Sequence, residues 1–207
     1  MSYIKNEDIR SLFYKISKSL ILPRFRNLKQ DDIKLKNKTD LVTIVDVEVE
    51  NELKKNLLKI LPNSLFVGEE SFFENPKIFD SYYKNQYCWT VDPIDGTRNF
   101  TKGNENFAIM AALTFKEKII QSWIYNPCKD EFCHSRLGEG SFIDDKKIYI
   151  IKKSDLSNSV GSISSKYWNH ESSVMLSIKD NFKNINSYGC IGLEYVDIAR
   201  NIRDFTI

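Results

Sequence analysis

The sequence predicts an α/β protein in two parts, an α+β half over residues 1–153 and a smaller α/β half over 154–207. Three observations carry this reading. Apolar residues recur at helical spacing twice in the first 62 residues; two short apolar runs, each ending in carboxylates, lead into strand-like segments with polar turns; and from residue 160 strand and helix patterns alternate. Alternation of that kind marks strands joined by helices.

Ile9, Leu12, Phe13, Ile16 and Leu20 share one face of a helix that stops before Pro23, because a proline pushes the residue ahead of it out of helical range. Val45, Val49, Leu53, Leu57 and Ile60 define a second helix, with Thr43 as its N-cap, Asp46 in its first turn and Pro62-Asn63 as its stop. Leu65-Phe66-Val67 and Tyr87-Cys88-Trp89-Thr90-Val91 read as buried strands, the first running into Gly68-Glu69-Glu70 and the second into Asp92. If these strands are neighbours pointing the same way, their carboxylates meet at one edge of the sheet, where open sheets bind ligands. Residues 107–151 read as an antiparallel meander with turns at Lys116-Glu117-Lys118, Leu137-Gly138-Glu139-Gly140 and Asp144-Asp145. Beyond it the pattern gives a strand over 160–164, a helix over 171–183, a strand over 185–188 and a helix over 191–202. The stripe Ile191, Tyr195, Ile198 and Ile202 reads as that last helix's core face, and 204–207 as the start of another strand.

Thirty Lys plus Arg against 28 Asp plus Glu leave a formal charge of +2, too little for the broad positive face that nucleic acid or an anionic membrane requires. The N-terminus has no basic segment followed by an apolar core, and no apolar run reaches about 18 residues, so the expectation is a cytoplasmic chain. Without a secretory signal, the irregularly spaced Cys88, Cys128, Cys133 and Cys190 are expected as free thiols. Cys128, Cys133 and His134 lack the second short-spaced pair that a structural zinc site needs.

The chemistry concentrates in Trp89-Thr90-Val91-Asp92-Pro93-Ile94-Asp95-Gly96-Thr97-Arg98-Asn99-Phe100. Asp92 and Asp95 bracket Pro93, which fixes its own φ, and precede Gly96, which lets backbone approach a ligand closely. Paired carboxylates suit a hard cation such as Mg²⁺, commonly held by one or two acids together with substrate phosphate. Backbone N–H groups around Gly96 and Thr97, especially if a helix begins there, would seat a phosphate oxygen. Thr97 could orient an attacking water, while Glu69 could hold the cation and take that water's proton. Glu70 reads as a supporting or solvated acid, and Asp-Pro-x-Asp-Gly on its own would also suit an ordinary turn. No cysteine is followed six residues later by arginine, no Asp-x-Asp-x-Thr/Val occurs, and neither His134 nor His170 sits in an Arg-His-Gly context. Activated water is the phosphatase route that survives.

Gly68-Glu69-Glu70-Ser71 followed by Asp92-Pro93-Ile94-Asp95-Gly96-Thr97 resembles, in order and spacing, the paired signature of the inositol monophosphatase family. Asp40-Leu41-Val42-Thr43-x-x-Asp46 resembles that family's first motif, and Asn99-Phe100 with Gly103 its continuation. The resemblance implies a layered αβαβα sandwich with its last part missing, and a Mg²⁺-dependent, lithium-inhibited, homodimeric phosphomonoesterase. It implies Glu69, Asp92, Asp95 and the Ile94 carbonyl as metal ligands, and Gly96 and Thr97 as the phosphate seat. Asp46 and Thr97 would position the nucleophilic water beside Glu69, with Asp95 and Gly189 reaching the sugar. In the two-metal scheme it implies, one ion activates water and the other stabilises the leaving alkoxide. Inositol monophosphate is the first expected substrate, favoured by Asn99-Phe100. Histidinol phosphate, adenosine 3′,5′-bisphosphate and fructose bisphosphate are its rivals. Two departures stand out. The family's Trp-Asp motif, which completes the second metal site, has no counterpart in the 207 residues, and Lys34 and Lys36 flank Leu35 where an early lysine is expected. The expectation therefore divides between an enzyme and a non-catalytic binding module.

Overall fold

The computed structural model describes residues 3–36, 41–150, 155–163 and 181–207, so Asp40, His170 and most of the helix expected over 171–183 lie outside the described residues. Helix α1, Asn6–Ile16, buries Ile9, Leu12, Phe13 and Ile16 and continues through a π-helical turn, Ser17–Ile21, to Pro23. A hairpin of β1, Ile33–Leu35, and β2, Leu41–Thr43, which the sequence pattern does not announce, leads into α2, Ile44–Ile60. The Thr43 hydroxyl accepts from the N–H groups of Val45 and Asp46, while the Asp46 carboxylate accepts from the Thr43 N–H, a reciprocal cap that satisfies the helix's free donors. Val45, Val49, Leu53 and Leu57 then face the core as expected.

Strand β3, Leu65–Gly68, runs parallel to β4, Tyr87–Asp95, pairing Phe66 with Trp89 and Gly68 with Val91. Helix α3, Glu69–Glu74, leaves β3 directly, and α4, Thr97–Thr101, follows β4. Strand β4 does not stop at Asp92: it continues to Asp95 through a register shift against β5, Ala108–Phe115, so both aspartates lie on an irregular strand end rather than in a free turn. The meander continues through β6 (Lys118–Asn126), β7 (Glu131–Arg136), β8 (Gly140–Ile143) and β9 (Lys146–Lys147), giving a seven-stranded sheet in the order β3-β4-β5-β6-β7-β8-β9. Lys116 and Glu117 both take positive φ, as do Asp144 and Asp145, the geometry of two-residue hairpin turns.

Period-2 alternation gives the sheet two faces. Trp89, Val91, Ile109, Leu113, Trp123 and Tyr125 pack with the stripes of α1 and α2 in one buried cluster. On the other face lies α5, Ile191–Ala199, through Leu193 and Cys190 against Ala108. Beyond α5, β10 (Val160–Ser162) lies between β11 (Asn184–Ile185) and β12 (Phe205–Thr206) in a parallel sheet. The fold is a layered α/β sandwich: helices, sheet, helix, sheet among the described residues.

Three expectations need correction. Residues 181–183 form a turn and bend rather than helix, because the Lys183 N–H donates to the Ser159 carbonyl and feeds β11. The strand expected over 185–188 pairs only at Asn184–Ile185. The last helix ends at Ala199, and its expected core stripe is wrong: Ile191, Tyr195 and Ile202 are 38%, 51% and 53% exposed, whereas Gly192, Leu193 and Val196 are buried. Among the described residues no helix is long and apolar enough to cross a membrane. The four cysteines are free.

Candidate active site

Because β3 and β4 are parallel neighbours, Glu69 and Glu70 at the end of one and Asp92 and Asp95 at the end of the other emerge at the same edge. Asp46 joins them from the first turn of α2. Its carboxylate accepts from Thr43 on one oxygen, and from the Thr97 hydroxyl on the other at 3.0 Å. That hydroxyl also lies 3.0 Å from the Ile94 carbonyl. Burial pushes the Asp46 carboxyl up to about 6, against the hydrogen bonds from Thr43 and Thr97.

Asp92 is the most confined of the acids. Its Oδ1 is buried and, among the described residues, has no hydrogen-bond partner. Burial, then the charges of Glu69 and Asp95, hold its carboxyl well above the ordinary range. Burial also raises Asp95, whose carboxylate is steadied by the backbone N–H groups of Gly192 and Ile191 and by the Cys190 thiol. The Glu69 charge acts on Asp46, Glu70, Asp92 and Asp95 alike. A bound cation would give the orphaned Asp92 oxygen a partner and relieve like-charge repulsion. The donors are all oxygens, the chemistry of a hard divalent ion.

Part of that charge is already met by Lys36, which follows β1 directly. Its Nζ donates to Glu69 Oε1 at 2.8 Å and Glu70 Oε1 at 2.6 Å, with the side chain only 5% exposed. Burial works against its charge, but the two carboxylates outweigh burial and hold the ammonium above its ordinary value. Burial pushes Glu70 up to about 7, with Lys36 pulling it back. Of the two lysines flanking Leu35, it is thus Lys36 that reaches the acids. Among the described residues, no group of three or more His, Cys, Asp or Glu side chains forms a ready-made metal cage.

Gly96 takes φ +92°, and a Cβ there would lie 2.9 Å from the Asn106 carbonyl and 3.2 Å from that of Gly189, so the turn admits only glycine. That close approach brings Gly189 beside the strand end. The Asn99 amide fastens it, donating to the carbonyls of Asn106 at 2.7 Å, Tyr188 at 2.6 Å and Gly189 at 3.2 Å. A helix does begin here: α4 starts at Thr97, and its Asn99 and Phe100 N–H groups return to the Gly96 carbonyl.

Glu50 is the residue that pattern reading missed. Buried in α2, it accepts from the Glu70 N–H at 2.7 Å, the Ser71 N–H at 2.9 Å and the Ser71 hydroxyl, capping α3 and so fixing Glu69. It can reach there because Gly68 has no side chain; a Cβ at that position would collide with the Glu50 carboxylate. A glycine placed just before two acids was the available signal. A cleft of about 620 Å³ opens beside these acids on the α5 side of the sheet, lined by Glu69, Asp92, Thr90, Met110 and Tyr195 among others.

Among known proteins, the model of the inositol monophosphatase family matches residues 6–207. The chain is 32% identical over 159 residues to an inositol-1-monophosphatase of Rhizobium meliloti, covering 77% of this chain and 57% of that protein. It is 31% identical over 126 residues to a fructose-1,6-bisphosphatase/inositol-1-monophosphatase of Aquifex aeolicus, covering 61% and 45%. The chain thus spans about half the length of the curated relatives it matches. A Thermotoga maritima IMPase shares the fold with a TM-score of 0.82 at 23% identity, over 97% of this chain and 74% of that one.

Proposed function

Since the chain belongs to the inositol monophosphatase family, we propose that it is a Mg²⁺-dependent phosphomonoesterase whose first substrate is inositol monophosphate. The observation that carries the proposal is the buried, unpartnered Asp92 oxygen set among the Glu69 and Asp95 charges at the end of a parallel strand pair. Glu69, Asp92, Asp95 and the Ile94 carbonyl would hold the metal. Bound there, Mg²⁺ supplies a Lewis acid for phosphoryl oxygens and makes the attacking water a stronger acid, and two such ions would serve the attacking and leaving oxygens.

The chain's own groups do the rest. The Thr97 hydroxyl, fastened between Asp46 and the Ile94 carbonyl, orients the nucleophilic water, and Asp46 keeps that hydroxyl pointed. Glu69 accepts the water's proton. Gly96 and Thr97 present backbone N–H groups at the start of α4 to phosphate oxygens, and Asp95 with Gly189 borders the sugar. Lithium inhibition and a homodimer belong to the same reading, the latter checked by light scattering on the purified chain.

Phosphate release from inositol monophosphate, histidinol phosphate, adenosine 3′,5′-bisphosphate and fructose bisphosphate, each with Mg²⁺, tests the assignment. Fastest turnover of the inositol ester supports it, and no release from any ester overturns it. The rival is a non-catalytic module that binds metal weakly, favoured by the way Lys36 already neutralises part of the charge of Glu69 and Glu70; weak Mn²⁺ binding without turnover would select it.

A further inference from the structure

We propose that Cys190 is a positioning residue for Asp95, its thiol holding one carboxylate oxygen so that the other is presented to the metal. The inference rests on the metal reading above. Asp95 and Cys190 are 95 residues apart in sequence, yet Cys190 Sγ donates to Asp95 Oδ2 at 3.1 Å. The same oxygen accepts the Gly192 N–H at 2.5 Å, and the Ile191 N–H also bonds the carboxylate. Three successive residues at the start of α5 therefore act on one side chain of β4.

The approach is enforced by two glycines. A Cβ on Gly192 would meet Met110 Sδ at 2.7 Å and Asp95 Oδ2 at 3.0 Å, so only a bare backbone lets the N–H come so near. A Cβ on Gly96 would meet the Cys190 Cβ at 3.2 Å, so the turn after Asp95 closes down on the cysteine from the other side. Cys190 is buried, and its thiol donates to the carboxylate.

Asp92 and Asp95 thus stand in opposite conditions. Asp92 keeps a buried oxygen with no donor, whereas Asp95 has Oδ2 committed before any ligand arrives. A carboxylate held by fixed donors loses little freedom when its other oxygen meets a cation, and its supporting partners set its orientation. Asp95 becomes a one-oxygen ligand aimed by α5. This links the second, parallel sheet's layer to the metal site, because α5 carries the donors.

The test is Mn²⁺ binding by the full chain, read from the electron paramagnetic resonance of free Mn²⁺, with thermal melts as the folding control. Cys190→Ala removes the donor and weakens binding about 10-fold, while Cys190→Ser, whose hydroxyl donates to the same oxygen, stays within about threefold of the unaltered protein. Cys190→Val, which fills the space and donates nothing, repeats the alanine result and stands in for it if alanine does not fold. Equal affinity in the alanine or valine variant and the unaltered chain overturns the assignment alone. Equal weakening in the serine and alanine variants also overturns it, since packing would then be the cause. An unaltered chain that binds no Mn²⁺ overturns the metal site itself and the assignment with it.

Discussion

Glu50→Ala should destabilise the protein and loosen Glu69 at once. The Glu50 carboxylate is the common acceptor for the Glu70 N–H, the Ser71 N–H and the Ser71 hydroxyl. Ser71 is half-buried, so water can replace its two bonds, but the Glu70 N–H is buried and would be left without a partner. An orphaned buried donor costs about 1–3 kcal/mol and a lost N-cap about 1 kcal/mol. Removing a buried charge offsets part of this, so the net loss is about 2 kcal/mol. For a chain of this size that lowers Tm by roughly 4–8 °C in a calorimetric melt. Gly68→Ala should act in the same direction through the same carboxylate, because the new Cβ displaces it. Ser71→Ala, which removes one of the three bonds and leaves both N–H groups capped, should cost under about 1 kcal/mol. A Glu50→Ala melt within about 2 °C of the unaltered protein, or a Ser71→Ala loss as large, would refute the capping argument.

Thr97→Val deletes the hydroxyl between Asp46 and the Ile94 carbonyl while keeping the volume, so turnover should fall at least about 100-fold with a stability loss near 1 kcal/mol, and Thr97→Ser should recover most of the rate. Comparable rates in Thr97→Val and the unaltered chain would remove Thr97 from the reaction. Glu194 supplies a pH test away from the site. Burial opposes its charge, but hydrogen bonds from Ser162, Thr206, the Tyr188 N–H and Ser187 prevail and hold its carboxyl below the ordinary 4.5. Because its folded value is depressed, its ionised form adds stability that is complete above 4.5 and lost as the pH falls through the folded value. Glu194→Gln should therefore flatten the fall of Tm with acid in that window, and an unchanged acid slope would show that other carboxylates set it.

What could be read from the sequence was what neighbours in the chain decide. Thr43 announces an N-cap with Asp46 in the first turn, and the structure closes the two into a reciprocal cap. The acids that follow two apolar runs announce a shared edge once the strands are parallel, and β3 and β4 are. What could not be read was set by distant partners. The β1–β2 hairpin spans only three residues a side, too short to show a period, so the strand that delivers Lys36 to Glu69 and Glu70 left no pattern. Glu50 looks like any acid of an amphipathic helix until Gly68 lets α3 rest on it.

The misread face of α5 follows from the same cause and explains why the site depends on it. With Ile191, Leu193, Tyr195, Val196 and Ile198 on nine residues, the helix is apolar on more than one side, and periodicity cannot choose between Ile191-Tyr195-Ile202 and Gly192-Leu193-Val196. The choice is made by what only one face can do. Gly192 can come against Met110 and Asp95 where a side chain could not, and Glu194, rotated inward with it, finds donors from Ser162, Thr206, Ser187 and Tyr188. Turning the helix to bury Ile191 and Tyr195 would strip both carboxylates of their partners, a cost of several kcal/mol that burying the remaining exposed part of two side chains offsets only in part. The rotation of α5 is therefore fixed by polar groups, and the same rotation that satisfies Glu194 holds Asp95 in place at the candidate metal site.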